Sequence, residues 1–89
     1  GKRKIVILYT NEPYIKSSCG GGYFSKKGEV VVFEDGGEKE LESLIHELLH
    51  ASSEYHFNGA IGEKVVSVMA KDLTRCLCDA EYGRIVNAD

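Results

Sequence analysis

The chain reads as an α+β fold, a small antiparallel sheet of about three strands carrying two packed helices. Short β-branched runs separated by glycine-rich turns fill its first third, and two stretches with apolar residues at 3.6-residue spacing fill its second half. At 89 residues the chain makes one domain, 1–89, with a modest core. That is near the size at which a bound metal or a partner chain assists stability.

Lys4 to Thr10 (KIVILYT) is short, apolar and β-branched and runs into Asn11-Glu12-Pro13, a turn signal, so it predicts the first strand. Tyr14 to Gly22 is polar and ends in Gly20-Gly21-Gly22, the composition of a loop that allows close approach of a ligand. Gly22 to Ser25 and Glu29 to Glu34 flank Lys26-Lys27-Gly28, which predicts a β-hairpin with glycine at its tight position. Val30 to Phe33 is continuously apolar, so that strand is expected at the centre of the sheet and covered on both faces.

Asp35-Gly36-Gly37 ends the sheet and starts a helix to about Tyr55, with Glu38, Glu40 and Glu42 placed where the helix dipole favours negative charge. Leu41, Leu44, Ile45, Leu48, Leu49 and Tyr55 form its packing side and leave Ser43, His46, Glu47, His50 and Glu54 on a polar stripe facing away. Phe57-Asn58-Gly59 closes this helix, and a second opens near Asn58 or Gly62. Its expected core stripe is Val65, Val66, Met69, Leu73, Cys76 and Leu77, and the chain is expected to fray from about Glu81.

Composition narrows the function. The chain is 43% hydrophobic and 28% charged, with no apolar run long enough to span a membrane and no signal peptide, so the expected location is the cytoplasm. Cys19, Cys76 and Cys78 are an odd set of three, which speaks against a disulfide framework and for core or incidental thiols in a reducing compartment. A net charge of −3, with a single basic cluster at Lys2 to Lys4, offers no attraction to phosphates, so nucleic acid is not an expected partner.

The informative motif is His46-Glu47-Leu48-Leu49-His50, which spells HExxH. Residues four apart on a helix lie about 6 Å apart along the axis and nearly in line, so both imidazoles can reach one metal ion with the carboxylate beside them. That arrangement suits one Zn2+ per chain, with Glu47 as general base toward a water acidified by the metal. Zinc of this kind needs a third protein ligand, and two candidates compete. His56 gives H-x3-H-x5-H, a spacing shared by metzincin proteases and by zinc-dependent endoribonucleases, but Ser53 stands where both have a turn-forming glycine. Glu63 follows a short glycine-containing connection, opens the next helix and lies on the flank of its apolar stripe. Ser67 and Ala70 lie close to its direction and leave room for a cleft. Glu63 is the favoured ligand and His56 the alternative.

Around this centre, Tyr55, His56 and Tyr82 are candidate donors to a developing oxyanion, and Glu54 a candidate partner for a ligand histidine. The strand holding Gly22, Tyr23 and Phe24 is the candidate sheet edge for binding an extended peptide.

The pieces GGYFSKKGEVVVF and ESLIHELLHA, followed by GEKVVSVMAKDL, resemble the small phage-type metallopeptidases related to the ImmA/IrrE group over about Gly20 to Leu77. The resemblance implies a minimal zincin-like core with zinc on His46, His50 and Glu63 and with Glu47 as base. It also implies a peptide substrate or a single regulatory protein as target. The position of His56 is often aromatic in that family, and this chain carries none of the DNA-binding or sensor domains of its larger members. Two alternatives come from other classes: a non-catalytic zinc-containing domain that binds a protein, and a metal-dependent endoribonuclease using His56.

Overall fold

The computed structural model of the protein describes residues 4–13, 20–81 and 83. Residues 14–19 of the first loop with Cys19, the basic pair Lys2 and Arg3, and Tyr82 with residues 84–89 of the tail lie outside the described residues.

Three strands, β1 (Val6–Thr10), β2 (Gly21–Phe24) and β3 (Glu29–Phe33), are followed by two helices, α1 (Gly37–Phe57) and α2 (Glu63–Asp79). The class is α+β, but the sheet, in the order β1-β3-β2, is mixed rather than antiparallel. β2 runs antiparallel to β3 with Tyr23 opposite Val30, whereas β1 runs parallel to β3 with Ile7 opposite Val30. Chain connectivity accounts for the difference. The tight turn Ser25–Gly28, with Gly28 at φ +62° and its N–H donated to the Ser25 carbonyl at 3.2 Å, permits only antiparallel return. β1 is separated from β3 by the whole of the hairpin, a connection long enough to let it enter the opposite edge in parallel.

β3 is central, as its apolar run predicts, but only one of its faces is fully covered. Val30 and Val32, on the α1 side, are 0% exposed, while Glu29, Val31 and Phe33 on the other side are half-buried. The cause is that α1 packs on β2 and β3 while α2 packs on α1, so both helices lie on one side of the sheet. β1 is held mainly by β3, and Val6, Ile7, Leu8 and Tyr9 keep 37% to 46% of their surface exposed.

Both helices are turned relative to the expected apolar stripes. On α1 the most buried residues are Glu47, Ala51 and Ser53, and Leu41, Leu44, Ile45, Leu48 and Leu49 are only half-buried. The HExxH stripe therefore does not face away from the packing: it lies between β2 and α2, because α1 is covered from two sides. On α2 the buried row is Val66, Ala70 and Thr74, four residues apart, while Val65, Met69, Leu73 and Leu77 stay 39% to 51% exposed. Cys76, expected on the core stripe, is a free exposed thiol, as is Cys78. Small side chains explain this choice of face. Ala70 and Thr74 let α2 sit close against α1, and Thr74 Oγ1 donates to the Ala70 carbonyl at 2.6 Å, which satisfies a buried hydroxyl. With that row turned inward, Glu63 comes round to the same side.

Candidate metal centre

Three side chains from two helices converge. His46 Nε2 lies 2.8 Å from Glu63 Oε1, and His50 Nε2 lies 2.7 Å from Glu63 Oε2. The two Nε2 atoms are 3.2 Å apart, with the rings edge to face at 4.9 Å between centroids. His46, His50 and Glu63 are the group of potential ligands found among the described residues, with one ligand atom from each lying within 4.8 Å of the others.

Helix geometry dictates half of this. His46 and His50 are one turn apart on α1, as the spacing requires, and are partly buried at 19% and 27% side-chain exposure. The other half is built by the connection between the helices. α1 ends at Asn58 in the left-handed conformation, φ +52°, with its N–H donated to the Ser53 carbonyl, which also accepts the Gly59 N–H at 3.0 Å. Ser53 itself is 1% exposed, and its Oγ accepts the Ile61 N–H at 3.1 Å. A single residue, through its carbonyl and its hydroxyl, thus anchors the return of the chain into α2, whose first residue is Glu63. Ser67, one turn later, donates its hydroxyl to Glu63 Oε1 at 3.3 Å and restrains the carboxylate.

The donor set fits a divalent cation of the zinc type. Tetrahedral zinc with ligand bonds of about 2.0–2.1 Å spaces its ligand atoms about 3.3 Å apart, close to the 3.2 Å between the imidazole nitrogens, whereas the Glu63 oxygens, at 2.8 and 2.7 Å, stand at hydrogen-bonding distance from them. Protons on both Nε2 atoms would satisfy Glu63 but would set two N–H groups against each other at 3.2 Å. One cation satisfies all three groups. Glu63 is electrostatically suited to this: its desolvation, which alone would raise its pKa, is outweighed by the charge of His46, the hydrogen bond and charge of His50 and the Ser67 hydroxyl. The net result holds the carboxyl below the usual range.

Glu47 is placed beside the cluster without entering it. It is 7% exposed and lies under β2, where a Cβ on Gly21 would come within 3.5 Å of its Cγ and 2.6 Å of the Val31 carbonyl oxygen. Glycine at that position is what lets the strand pass so close to the helix. Burial pushes the Glu47 carboxyl up, with His46 and His50 partly opposing this and Glu63 adding to it. A carboxylate made more basic in this way is suited to accept a proton. Glu47 and His50 form one wall of a cavity of about 250 Å3 that Tyr23, Ser53, Glu54, Gly59 and Ile61 complete.

The remaining predicted residues are placed as follows. His56 is exposed on the last turn of α1, edge to face with Tyr55 at 4.8 Å and with Phe57 at 6.3 Å, outside the ligand group. Glu54 is exposed and makes no hydrogen bond to a ligand histidine among the described residues; it lines the cavity instead. Tyr55 lines a second cavity next to Lys4 and Ile5. On β2 the pleat divides the expected peptide-binding residues: Tyr23 shares the α1 side with Val30, while Gly22 and Phe24 pair with Val31 and Glu29 on the other. The outer edge of β2 pairs with no other strand among the described residues. Ser53 is the positioning residue that the sequence did not disclose, since its bond spans eight residues to Ile61 and leaves no periodic signal. The chain matches no family model, no curated protein and no solved structure.

Proposed function

We propose that this chain is a zinc-dependent metallopeptidase of the small phage-type zincin kind, with one Zn2+ on His46, His50 and Glu63 and with Glu47 as general base. The observation that carries the proposal is the convergence of two imidazole nitrogens and one carboxylate beside a buried carboxyl of raised pKa. Bound zinc supplies Lewis acidity, which polarises a carbonyl and makes water more acidic. Glu47 would take the proton of the attacking water on its carboxylate as the new C–O bond forms, and return it to the amine nitrogen, whereupon the C–N bond breaks and the amine departs. Ser67 and Ser53 hold Glu63 in place while this happens.

An extended peptide adds to the edge of β2 that pairs with no strand among the described residues, where the backbone of Gly22, Tyr23 and Phe24 offers ladder hydrogen bonds and Tyr23 faces the cavity beside His50. The substrate is a peptide or a single regulatory protein. Among the described residues no helix is long and apolar enough to cross a membrane. The two free, exposed thiols of Cys76 and Cys78 suit a reducing compartment, and we place the protein in the cytoplasm.

Metal content by elemental analysis tests this directly, on wild type and on His46→Ala, Glu63→Ala and His56→Ala. One zinc per chain is expected, lost with the first two variants and kept with the third. Absence of zinc after purification without chelators overturns the proposal. Zinc kept by Glu63→Ala but lost from His56→Ala would instead make His56 the ligand and favour the endoribonuclease. Glu47→Gln separates catalysis from metal binding: zinc stays, and hydrolysis falls by about 10²–10⁴. If hydrolysis is absent from the wild type or unchanged in Glu47→Gln while zinc stays bound, the protein is a zinc-containing binding domain.

A further inference from the structure

The cavity beside His50 has a chemistry of its own. Its volume of about 250 Å3 is below the roughly 300–1,000 Å3 of sites that engulf a whole ligand, so it suits one side chain. It begins at Glu47 and His50 and extends to Glu54, which stands one helical turn beyond His50 on the same side of α1. Among the described residues its lining includes two carboxylates and no lysine or arginine. Glu54 forms no ion pair with any described residue. Tyr23 and Ile61 add apolar surface. A second cavity, of about 370 Å3, shares Tyr23 and Glu54 and continues past Ser25 toward Lys4.

We propose that this cavity receives a lysine or arginine side chain of the substrate flanking the cleaved bond, and that Glu54 is the residue that selects it. The inference rests on the peptidase function proposed above. A long basic side chain combines an apolar stem with a charged head, and the cavity offers surface for the stem at Tyr23 and Ile61 and a carboxylate for the head at Glu54. Lys4 at the far end of the second cavity carries the opposite charge, which confines the basic preference to the position nearest His50.

The test uses zinc-loaded protein and isothermal titration with hydroxamate probes bearing an arginine, leucine or glutamate side chain, in two series with that side chain on either side of the zinc-binding group. In one series the arginine probe is expected to bind about fivefold tighter than the leucine probe, the size of effect an exposed ion pair supports, with the glutamate probe weakest. The preference shrinks as salt is raised. In Glu54→Gln the arginine-to-leucine ratio falls to about one, and Glu54→Lys turns the preference toward glutamate. Equal binding of all three side chains in both series, or a basic preference that survives Glu54→Gln, overturns the inference and leaves the peptidase standing. If no probe of either series binds the zinc-loaded protein, the open metal position is absent, and the peptidase falls together with the inference.

Discussion

Glu47 is subject to two opposing demands. Its burial makes it a stronger base, and the same burial makes its ionised form costly to keep in the folded protein. A carboxyl whose pKa is raised by folding leaves stability intact below its unfolded pKa and lowers it as the pH rises through the folded value. In the metal-free protein, Glu47→Gln is therefore expected to raise the melting temperature at pH 7 and to have no such effect near pH 3.5, where the wild-type carboxyl is already protonated. Thermal melts at the two pH values check this. Ser53 acts at the same scale. Ser53→Ala leaves the Ile61 N–H without its partner and is expected to cost about 1–2 kcal/mol in urea unfolding, with zinc binding weakened as Glu63 loses its fixed position. The sequence shows the difference between these two residues. His46, Glu47 and His50 are legible because a helix maps fixed spacing onto fixed geometry, and Glu63 because a helix start has recognisable neighbours. Ser53 reads only as a missing glycine, because its role depends on a loop conformation that no periodicity encodes.

The orientation of α2 shows where patterns of large apolar residues mislead. Val65, Met69, Leu73 and Leu77 form the strongest stripe, yet the helix docks by Val66, Ala70 and Thr74. Close helix approach is set by small residues at the contact, and a count of apolar positions gives them little weight. Ala70→Leu is expected to destabilise the fold by about 1–3 kcal/mol through overpacking and to weaken zinc binding, since it pushes the helix that carries Glu63 away from α1. By contrast Val68→Lys, at a position 62% exposed, is expected to change stability by less than about 0.5 kcal/mol. Denaturant titration with parallel metal analysis distinguishes the two. The hairpin was legible almost to the residue, because Lys26-Lys27-Gly28 leaves little freedom in its register. The parallel entry of β1 was not, because a strand sequence specifies which residues are apolar but not which edge they join.

At the scale of the whole molecule, the fully buried apolar residues among those described are Val30, Val32, Ala51, Val66 and Ala70, a small core for a chain of 89 residues. A metal bound at the proposed site would add to that stability. A ligand present at 100 times its dissociation constant adds about 2.7 kcal/mol, which for a domain of this size corresponds to roughly 10–20 °C. Removing zinc with EDTA is expected to lower the melting temperature by that amount, and adding zinc back is expected to restore it; Glu63→Ala should be insensitive to both.

The placement of β1 on one edge, in parallel and with both of its faces half open, divides the molecule into parts of unequal permanence. Everything that builds the candidate metal centre belongs to β2, β3, α1 and α2, which touch one another in an unbroken series, whereas β1 is attached chiefly along a single ladder. Such a strand can peel away without dismantling the rest. Its amides, and those in and just after β3 that bond to it, such as the Glu34 N–H on the Thr10 carbonyl at 2.7 Å, should exchange with solvent sooner than the Phe33 N–H, which is held on the other edge by the Gly20 carbonyl at 2.8 Å. An event of that kind would leave the His46, His50 and Glu63 cluster standing and present the bare edge of β3, with its unpaired carbonyls and N–H groups, to any extended chain nearby.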